Sequence, residues 1–519
     1  MRSAFLRSFR IFFSAFIVIC FIVVFSDFKY IIPSKYINLL LWFQFVPSAV
    51  KFYDLFTLAT AGFAGVLVLT LITGRSYCSF LCPLGIAQDI NSRIGGRIRR
   101  KFRRYGYKKP FTVLRYLILV VVLIVTFFSG IYLLTLLDPY AIFGRSVTMF
   151  IKPAVIVMNN FLVWVLGKFD NYSLSHVAIG GYKPVSYAIP AVFFLLVVSL
   201  SLTKGRLYCN MICPVGTLLG FLSKLSLLRI RFDVDKCTKC GRCSLGCKSS
   251  CIDFIRYRVD VSRCVVCFNC INTCPEKALS WGPVRFRKKT HTTDEGKRKF
   301  IAGSLAALFG VPAILRSQDS KTPIPQILST VPENRTCPVA PPGAGSLEEF
   351  NKTCIACSLC ITVCPNEVLV PAFMQYGIAG IMQPVMDYKK SFCIYNCTRC
   401  TEVCPTYSLR PLVIEAKKLT QLGKVNFIKD NCIVKTEKTA CGACSEACPT
   451  KAVYMIPYEG NLLIPETNTD ICIGCGHCEF ACPTKPYKAI FVDGNPVHQT
   501  AEKPVEEEPG IKAPAEFPF

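Results

Sequence analysis

Apolar residues in this 519-residue chain are gathered into runs at its front and thin out behind. Four runs predict helices that cross a bilayer: about 11–25, 55–73, 112–137 and 187–203. A span takes roughly 20 apolar residues, range about 17–25, so the first run is short and the third generous. A further stretch, Val147 to Gly167, is mostly apolar but contains Lys152, Asn159 and Asn160. It is expected to lie along the interface, because a crossing there would invert every charge signal after it. A last apolar run, Phe300 to Leu315, follows Lys297-Arg298-Lys299. Two readings fit it: a buried helix packing two domains together, or a fifth crossing that carries the rest of the chain to the other face. Behind it the pattern predicts short hairpins and helices between cysteines rather than one large apolar core.

Charge separates the same two parts. Residues 1–316 carry 42 Lys+Arg against 12 Asp+Glu, whereas 317–519 carry 18 against 21. That reversal favours the crossing at 300–315. The loop from Gly74 to Phe111 holds ten Lys/Arg, against three in 28–54 and four in 138–186. The positive-inside rule then puts the N-terminus, the 74–111 loop and the segment after 203 in the cytoplasm. No small-residue cleavage site follows the first run, so a signal peptide is not expected. The basic residues sit at helix ends and short loops, which removes nucleic acid as a partner. With 52% hydrophobic and 18% charged residues, the composition excludes a disordered chain and an ordinary soluble enzyme.

The 31 cysteines are an odd number in a chain too long to need a disulfide scaffold. Most fall into runs. Cys237, Cys240, Cys243 and Cys247 are followed by Cys264, Cys267, Cys270 and Cys274-Pro275 at the same spacing. This is the bacterial ferredoxin pattern, in which three thiolates of one loop hold a 4Fe–4S cube and the fourth reaches the other cluster. One cluster would take Cys237, Cys240, Cys243 and Cys274, the other Cys264, Cys267, Cys270 and Cys247. Lys248 replaces the usual proline, and Cys251 is an alternative to Cys247 as ligand.

Four more runs lie in the last third. Cys354, Cys357, Cys360 and Cys364 match fully, as do Cys472, Cys475, Cys478 and Cys482. Cys393, Cys397, Cys400 and Cys404, and Cys432, Cys441, Cys444 and Cys448, have longer first gaps. Zinc needs neither the third cysteine nor the fourth before proline. Six 4Fe–4S clusters are therefore expected.

Of the seven cysteines left over, Cys20 reads as packing in a span and Cys337 as a plain thiol in a loop. Four others form a repeat. Gly74-Arg75-Ser76-Tyr77-Cys78 with Cys82-Pro83-Leu84-Gly85 recurs as Gly205-Arg206-Leu207-Tyr208-Cys209 with Cys213-Pro214-Val215-Gly216. A spacing of four puts two thiols on one helix face. Two spans per copy suggest parallel repeats that bring Cys78, Cys82, Cys209 and Cys213 together as a redox or metal quartet; the bland alternative is a helix-end packing motif. No Cys-x-x-Cys-His and no Gly-x-Gly-x-x-Gly opening a helix occur, and none of the four histidines lies in a span. Haem, flavin and NAD are thus not indicated. Electrons are expected from a quinol or another protein. A quinol site needs a proton acceptor near the bilayer surface, and an ionisable residue at a span end is the default candidate: Asp138 on the outer side, which also reads as an Asp-Pro turn, or Asp89 on the cytoplasmic side.

With these spans, Cys-x3-Cys-Pro motifs and two ferredoxin runs, residues 1–290 resemble the NapH (MauN-like) membrane ferredoxins. Residues 297–490 resemble the NapG (MauM-like) polyferredoxins, with an export-signal-like segment, Pro341-Pro342-Gly343-Ala344, Phe350 and four ferredoxin runs. The fusion of the two and Lys-Arg in place of Arg-Arg are departures. The resemblance implies a quinol dehydrogenase module of the bacterial cytoplasmic membrane, passing electrons from the quinol or menaquinol pool to a periplasmic reductase or cytochrome. Alternatives are a maturation factor that reduces a metal centre or disulfide, and a relay subunit of a larger redox complex.

The expected fold is thus a membrane α-helical four-span bundle plus α+β bacterial ferredoxin-like 4Fe–4S domains. Its divisions are a multi-pass membrane domain at 1–225, a cytoplasmic two-cluster domain at 226–285, a basic linker and anchor-like helix at 286–316, a periplasmic four-cluster domain at 317–498 and a disordered tail at 499–519.

Overall fold

In the computed structural model, which describes residues 2–57, 61–98, 105–177, 184–284 and 331–503, the first apolar run lies within one long helix, α1 (Arg2–Ser26). At 1.5 Å per residue its 25 residues reach about 37 Å, enough for a hydrocarbon core of about 30 Å. Three helices among the described residues are long and apolar enough to cross a membrane: Phe5–Ser26, Pro139–Gly167 and Pro184–Lys204. Three such helices stand where four spans were expected. Runs 11–25 and 187–203 fall inside the first and third of these helices.

The other two runs shorten because the backbone breaks where hydropathy sees nothing. Helices α2 (Ser34–Trp42) and α3 (Phe45–Leu55) precede a left-handed Phe56, φ 47°, so that 55–73 contracts to α4 (Gly62–Thr73), only 12 residues. Gly130, at φ 94°, cuts 112–137 into α7 (Thr112–Ser129) and α8 (Tyr132–Leu137). The stretch expected at the interface is helical and forms the later part of a 29-residue apolar rod. It consists of α9 (Pro139–Ser146), one π-helical turn over Val147–Ile151 and α10 (Lys152–Gly167). The proposed fifth crossing, 300–315, lies outside the described residues.

The sequence repeat is a structural repeat. In the first copy α4 leads to the short α5 (Tyr77–Phe80) and then to α6 (Pro83–Ile98). In the second, α11 (Pro184–Lys204) leads to α12 (Leu207–Met211) and α13 (Pro214–Leu222). Pro83 and Pro214 open their helices, where a missing N–H costs nothing. The copies interlock: α11 packs along α6 and α4 against α13.

Two cysteine-rich domains are attached. The first pairs β1 (Leu228–Phe232) antiparallel with β4 (Leu279–Pro283), and β2 (Ile252–Asp253) with β3 (Arg258–Val259). In the second, β5 (Leu369–Pro371) pairs with β6 (Pro384–Met386), β8 (Val453–Pro457) with β9 (Leu463–Thr467), and β7 (Thr420–Phe427) with β10 (Ile490–Thr500). The last ladder includes Gln499↔Gln421 and Thr500↔Thr420, so this domain runs past the expected boundary at 498.

The two domains dock at opposite ends of α1. Leu6 packs into the core of the first, near the N-terminus of the helix. Beyond its C-terminus, Arg399 stacks 4.0 Å from the Tyr30 ring centroid and Lys51 lies 4.1 Å from that of Tyr407. Thr148 and Thr362 hydroxyls meet at 2.9 Å, and Lys152 Nζ donates to the Thr362 carbonyl at 3.1 Å. Gly144 is required here: a Cβ would sit 2.5 Å from the Cys357 carbonyl oxygen and 2.7 Å from the Phe25 ring. One apolar cluster links the membrane domain to both cysteine-rich domains, from Val265 in the first past Cys78, Cys82, Cys209, Cys213, Phe25 and Tyr140 to Ile355 and Cys357 in the second, each of which also has its own core.

Candidate redox site

The strictly spaced cysteine runs share a backbone that their spacing does not announce. The residue before the second cysteine and the one after it are both left-handed: Lys239 and Gly241, Val266 and Phe268, Ala356 and Ser358, Gly474 and Gly476. Alternating handedness turns successive N–H groups into one concavity, a nest suited to anionic sulfur. Val266 at φ 51° is a β-branched residue where such a conformation is a genuine outlier. Strain of about 1–3 kcal/mol per residue persists only where surroundings enforce it, and points to function.

The loops gather the cysteines in fours. Cys243 faces Cys237, Cys240 and Cys274, and those four line one cavity. Cys270 faces Cys264, Cys267 and Cys247. Cys360 faces Cys354, Cys357 and Cys404, while Cys400 faces Cys393, Cys397 and Cys364. Cys432, Cys441, Cys444 and Cys482 share a cavity, and Cys478 faces Cys472, Cys475 and Cys448. In every pair the fourth cysteine of one run joins the three of the other. Cys251 sits 3.5 Å from Cys247, sulfur to sulfur, and also beside Cys264. Cys337 stands apart, its N–H held by Asp493.

The Cys-x3-Cys-Pro cysteines converge between these domains. Cys213 faces Cys209, Cys82 and Cys78, and all four are buried. The arginine of each copy braces the other copy: Arg75 Nη2 donates to the Cys209 carbonyl at 3.1 Å and Arg206 Nη1 to the Cys78 carbonyl at 2.8 Å. Gly85 and Gly216 make room, since a Cβ on either would lie 2.3 Å from the Cys78 or Cys209 carbonyl oxygen. Hydrogen bonds reach the sulfurs from Gln88 Nε2 on Cys209 and the Gly216 N–H on Cys213, both 3.3 Å. Four thiols, N–H donors aimed at sulfur and two guanidinium groups nearby suit a redox quartet. The sequence quotes both arginines in its motif, but only the fold shows that they cross.

On the first domain's side, Arg75 also donates to the Ser262 carbonyl at 2.9 Å, two residues from Cys264. Asp89 lies there too. Its carboxylate pairs with Arg206 at 2.8 Å, Arg10 at 3.0 Å and Lys248 at 3.5 Å. Burial raises its pKa, but the three cations outweigh it and hold the carboxyl well below the usual range. Removing one partner of a buried ion pair costs about 3–5 kcal/mol. Asp89→Ala is therefore expected to lower the melting temperature in detergent by far more than a surface substitution. A depressed pKa means that this contribution is present above about pH 4 and fades as pH falls below it. An unchanged melting temperature would refute the brace.

On the second domain's side, Asp138 is the N-cap of α9, its Oδ2 accepting from the Ala141 N–H at 2.9 Å. Its Oδ1 is buried with no hydrogen-bond partner. Arg145, two turns on, donates to the Thr135 carbonyl at 2.9 Å instead. Asp138 lies within electrostatic reach of Tyr77, Tyr208 and Cys357, between the quartet and the second domain.

Known proteins bear on this arrangement. A family model described as a 4Fe-4S binding domain matches residues 55–103 and 188–233, the two copies of the repeat. One described as a 4Fe-4S dicluster domain matches 412–486. The chain is 30% identical over 154 residues to the methylamine utilization ferredoxin-type protein MauM of Methylophilus methylotrophus, covering 28% of this chain and 67% of that protein. It is 25% identical over 136 residues to the ferredoxin-type protein NapF of Escherichia coli K12, 26% of this chain and 74% of that protein. To the ferredoxin-type protein NapH of the same organism it is 26% identical over 194 residues, 36% of this chain and 53% of that protein. No solved structure matches. Iron–sulfur domains, duplicated motifs and these relatives together make the chain a member of the NapH/MauM-like ferredoxin-type electron-transfer proteins.

Proposed function

We propose that this protein takes electrons from the membrane quinol pool and delivers them across the bilayer to a reductase or cytochrome on the periplasmic face. One observation carries the reading: the cysteine groups form a single file. Cys270 has Cys243 among its neighbours. Arg206 lies near both Cys267 and Cys209, linking that group to the quartet. Asp138 and Tyr140 lead from the quartet to Cys357. The file continues from Cys360 to Cys400, and from Cys393 to Cys475 through a backbone bond of 3.0 Å. It ends with Cys478 beside Cys444. Bound in the six ferredoxin groups, 4Fe–4S clusters supply one-electron carriage. With the basic N-terminus of α1 on the cytoplasmic side, the first domain, docked at that end, lies inside, and the second, docked beyond Ser26, lies outside.

The residues divide the work. The left-handed loops and N–H donors hold thiolates in place. The arginine cross-brace fixes the quartet. Of the two carboxylates, Asp89 is committed to three cations, whereas Asp138 keeps one oxygen free and is the proton acceptor we favour. In full-length protein, a menaquinol analogue is expected to bleach the iron–sulfur absorbance to the extent that dithionite does. Asp138→Asn should slow the quinol reaction while leaving the dithionite reaction unchanged. Wild-type protein that dithionite reduces and quinol never does would overturn the dehydrogenase reading and leave a relay fed by another subunit.

A further inference from the structure

A large apolar groove of about 800 Å³ opens on the flank of the membrane domain, between α1, α2 and the first repeat copy. It lies within the range of small-molecule sites, roughly 300–1,000 Å³. Its outer rim is exposed, Val23 by 48% and Leu39 by 61%. Along α1 it extends from Phe13 to Val24, about 16 Å at 1.5 Å per residue. No charged residue lines it.

The inner end differs from the rest. There the Thr73 and Ser76 hydroxyls meet at 2.6 Å, and the Trp281 indole Nε1 is buried with no hydrogen-bond partner. Two cysteine groups adjoin this end. Val266 and Phe268, the strained left-handed pair around Cys267, form one wall; Ser76 and Leu81, beside Cys78 and Cys82, form another.

We infer that this groove is the binding site of an isoprenoid quinone, its tail along α1 and its ring at the Thr73–Ser76–Trp281 end. Quinone carbonyls accept from a hydroxyl or an indole N–H, and quinol hydroxyls donate to the serine or threonine oxygen. The Thr73 hydroxyl also donates to the Leu69 carbonyl at 2.7 Å, so the indole N–H is the donor an occupant must satisfy; a bare acyl chain would leave it unpaired, and a phospholipid phosphate would find no cation. The ring would lie against two cysteine groups at once, which suits a two-electron donor facing one-electron carriers. Asp138 is not in the groove. It connects to the groove wall through Tyr77, which lies within its electrostatic reach and donates to Gln44, which in turn donates to the Leu81 carbonyl.

The site rests on the quinol reading above, and the test separates the two. Full-length protein in nanodiscs of phosphatidylglycerol and phosphatidylcholine is photolabelled with an azidoquinone. Label is expected in peptides carrying Val23, Leu39 and Ser76. The double variant Val23→Trp, Leu39→Trp fills the tail slot on exposed positions. It should raise the quinol concentration for half-maximal reduction about tenfold, or 1.4 kcal/mol, with dithionite reduction unchanged. Trp281→Phe, which keeps the ring and loses the N–H, should raise it about fivefold. If wild type is reduced by quinol and the double variant reacts equally well, the groove is refuted and the dehydrogenase reading stands. Label displaced as readily by quinone-free phospholipid as by quinone also refutes it, showing an acyl slot. Label in the groove with no reduction of wild type supports the site and overturns the dehydrogenase reading.

Discussion

Serine at Cys78, Cys82, Cys209 and Cys213 together should leave the first domain's clusters reducible by quinol and the second domain's oxidised. The quartet is the only cysteine group between Cys267 and Cys357 among the described residues. No parallel route bypasses it in the single file. The loss should be complete rather than graded, and any one of the four substitutions should suffice, because the sulfurs face one another as a unit. Frozen-solution EPR after quinol addition reads the number of reduced clusters per chain, and dithionite provides the total. Serine keeps the size of cysteine, and the arginine braces bind carbonyls at 2.8–3.1 Å, with only one longer contact of 3.9 Å from Arg75 to the Cys78 sulfur, so the fold should survive. Wild-type transfer in the quadruple variant would reduce the motif to helix-end packing.

The second large effect is on iron. Six groups of four cysteines predict about 24 irons per chain, four to a cluster. The crossed pairing makes a sharper claim. Cys404→Ala should empty the site of Cys354, Cys357 and Cys360, not that of its own run, and remove about four irons. Cys364→Ala should do the converse, emptying the site of Cys393, Cys397 and Cys400. Anaerobic iron and sulfide analysis gives the totals, and loss of protection of the other run's thiols against alkylation shows which site was emptied. Half the expected iron in wild type would remove the four-cluster reading of the last third.

The cysteines were legible in the sequence because ligand spacing is itself the chemistry: a loop of Cys-x-x-Cys-x-x-Cys is short enough to be read as a unit. The crossed fourth ligand followed from the same rule for Cys247 and Cys274, whereas which of the last four runs pair with one another did not. Spans fared unevenly. Hydropathy locates α1 and α11, where apolar content and helix coincide. It cannot see a φ of 94° at Gly130, or the π-helical turn that joins α9 to α10 across Lys152. The repeat foretold that Cys78, Cys82, Cys209 and Cys213 converge, but the other contacts between distant positions were out of reach. Nothing local tells that Arg75 binds the carbonyl of Cys209, that Asp89 is shared by three cations, or that Gly144 admits the Cys357 loop.

The docking of the two cysteine-rich domains at opposite ends of α1 makes the transfer electrogenic in the proposed orientation. Each electron moves outward through the membrane's electric field, and an inside-negative potential repels it in that direction. Crossing the whole drop is worth about 2.3 kcal/mol per electron for every 100 mV. Respiratory energisation would thus make the outer clusters stronger reductants than their potentials in detergent suggest, and could drive an acceptor that the quinol pool alone cannot reduce. In proteoliposomes, an imposed potassium diffusion potential should speed or slow outward transfer according to its sign, and valinomycin without a potassium gradient should abolish the difference.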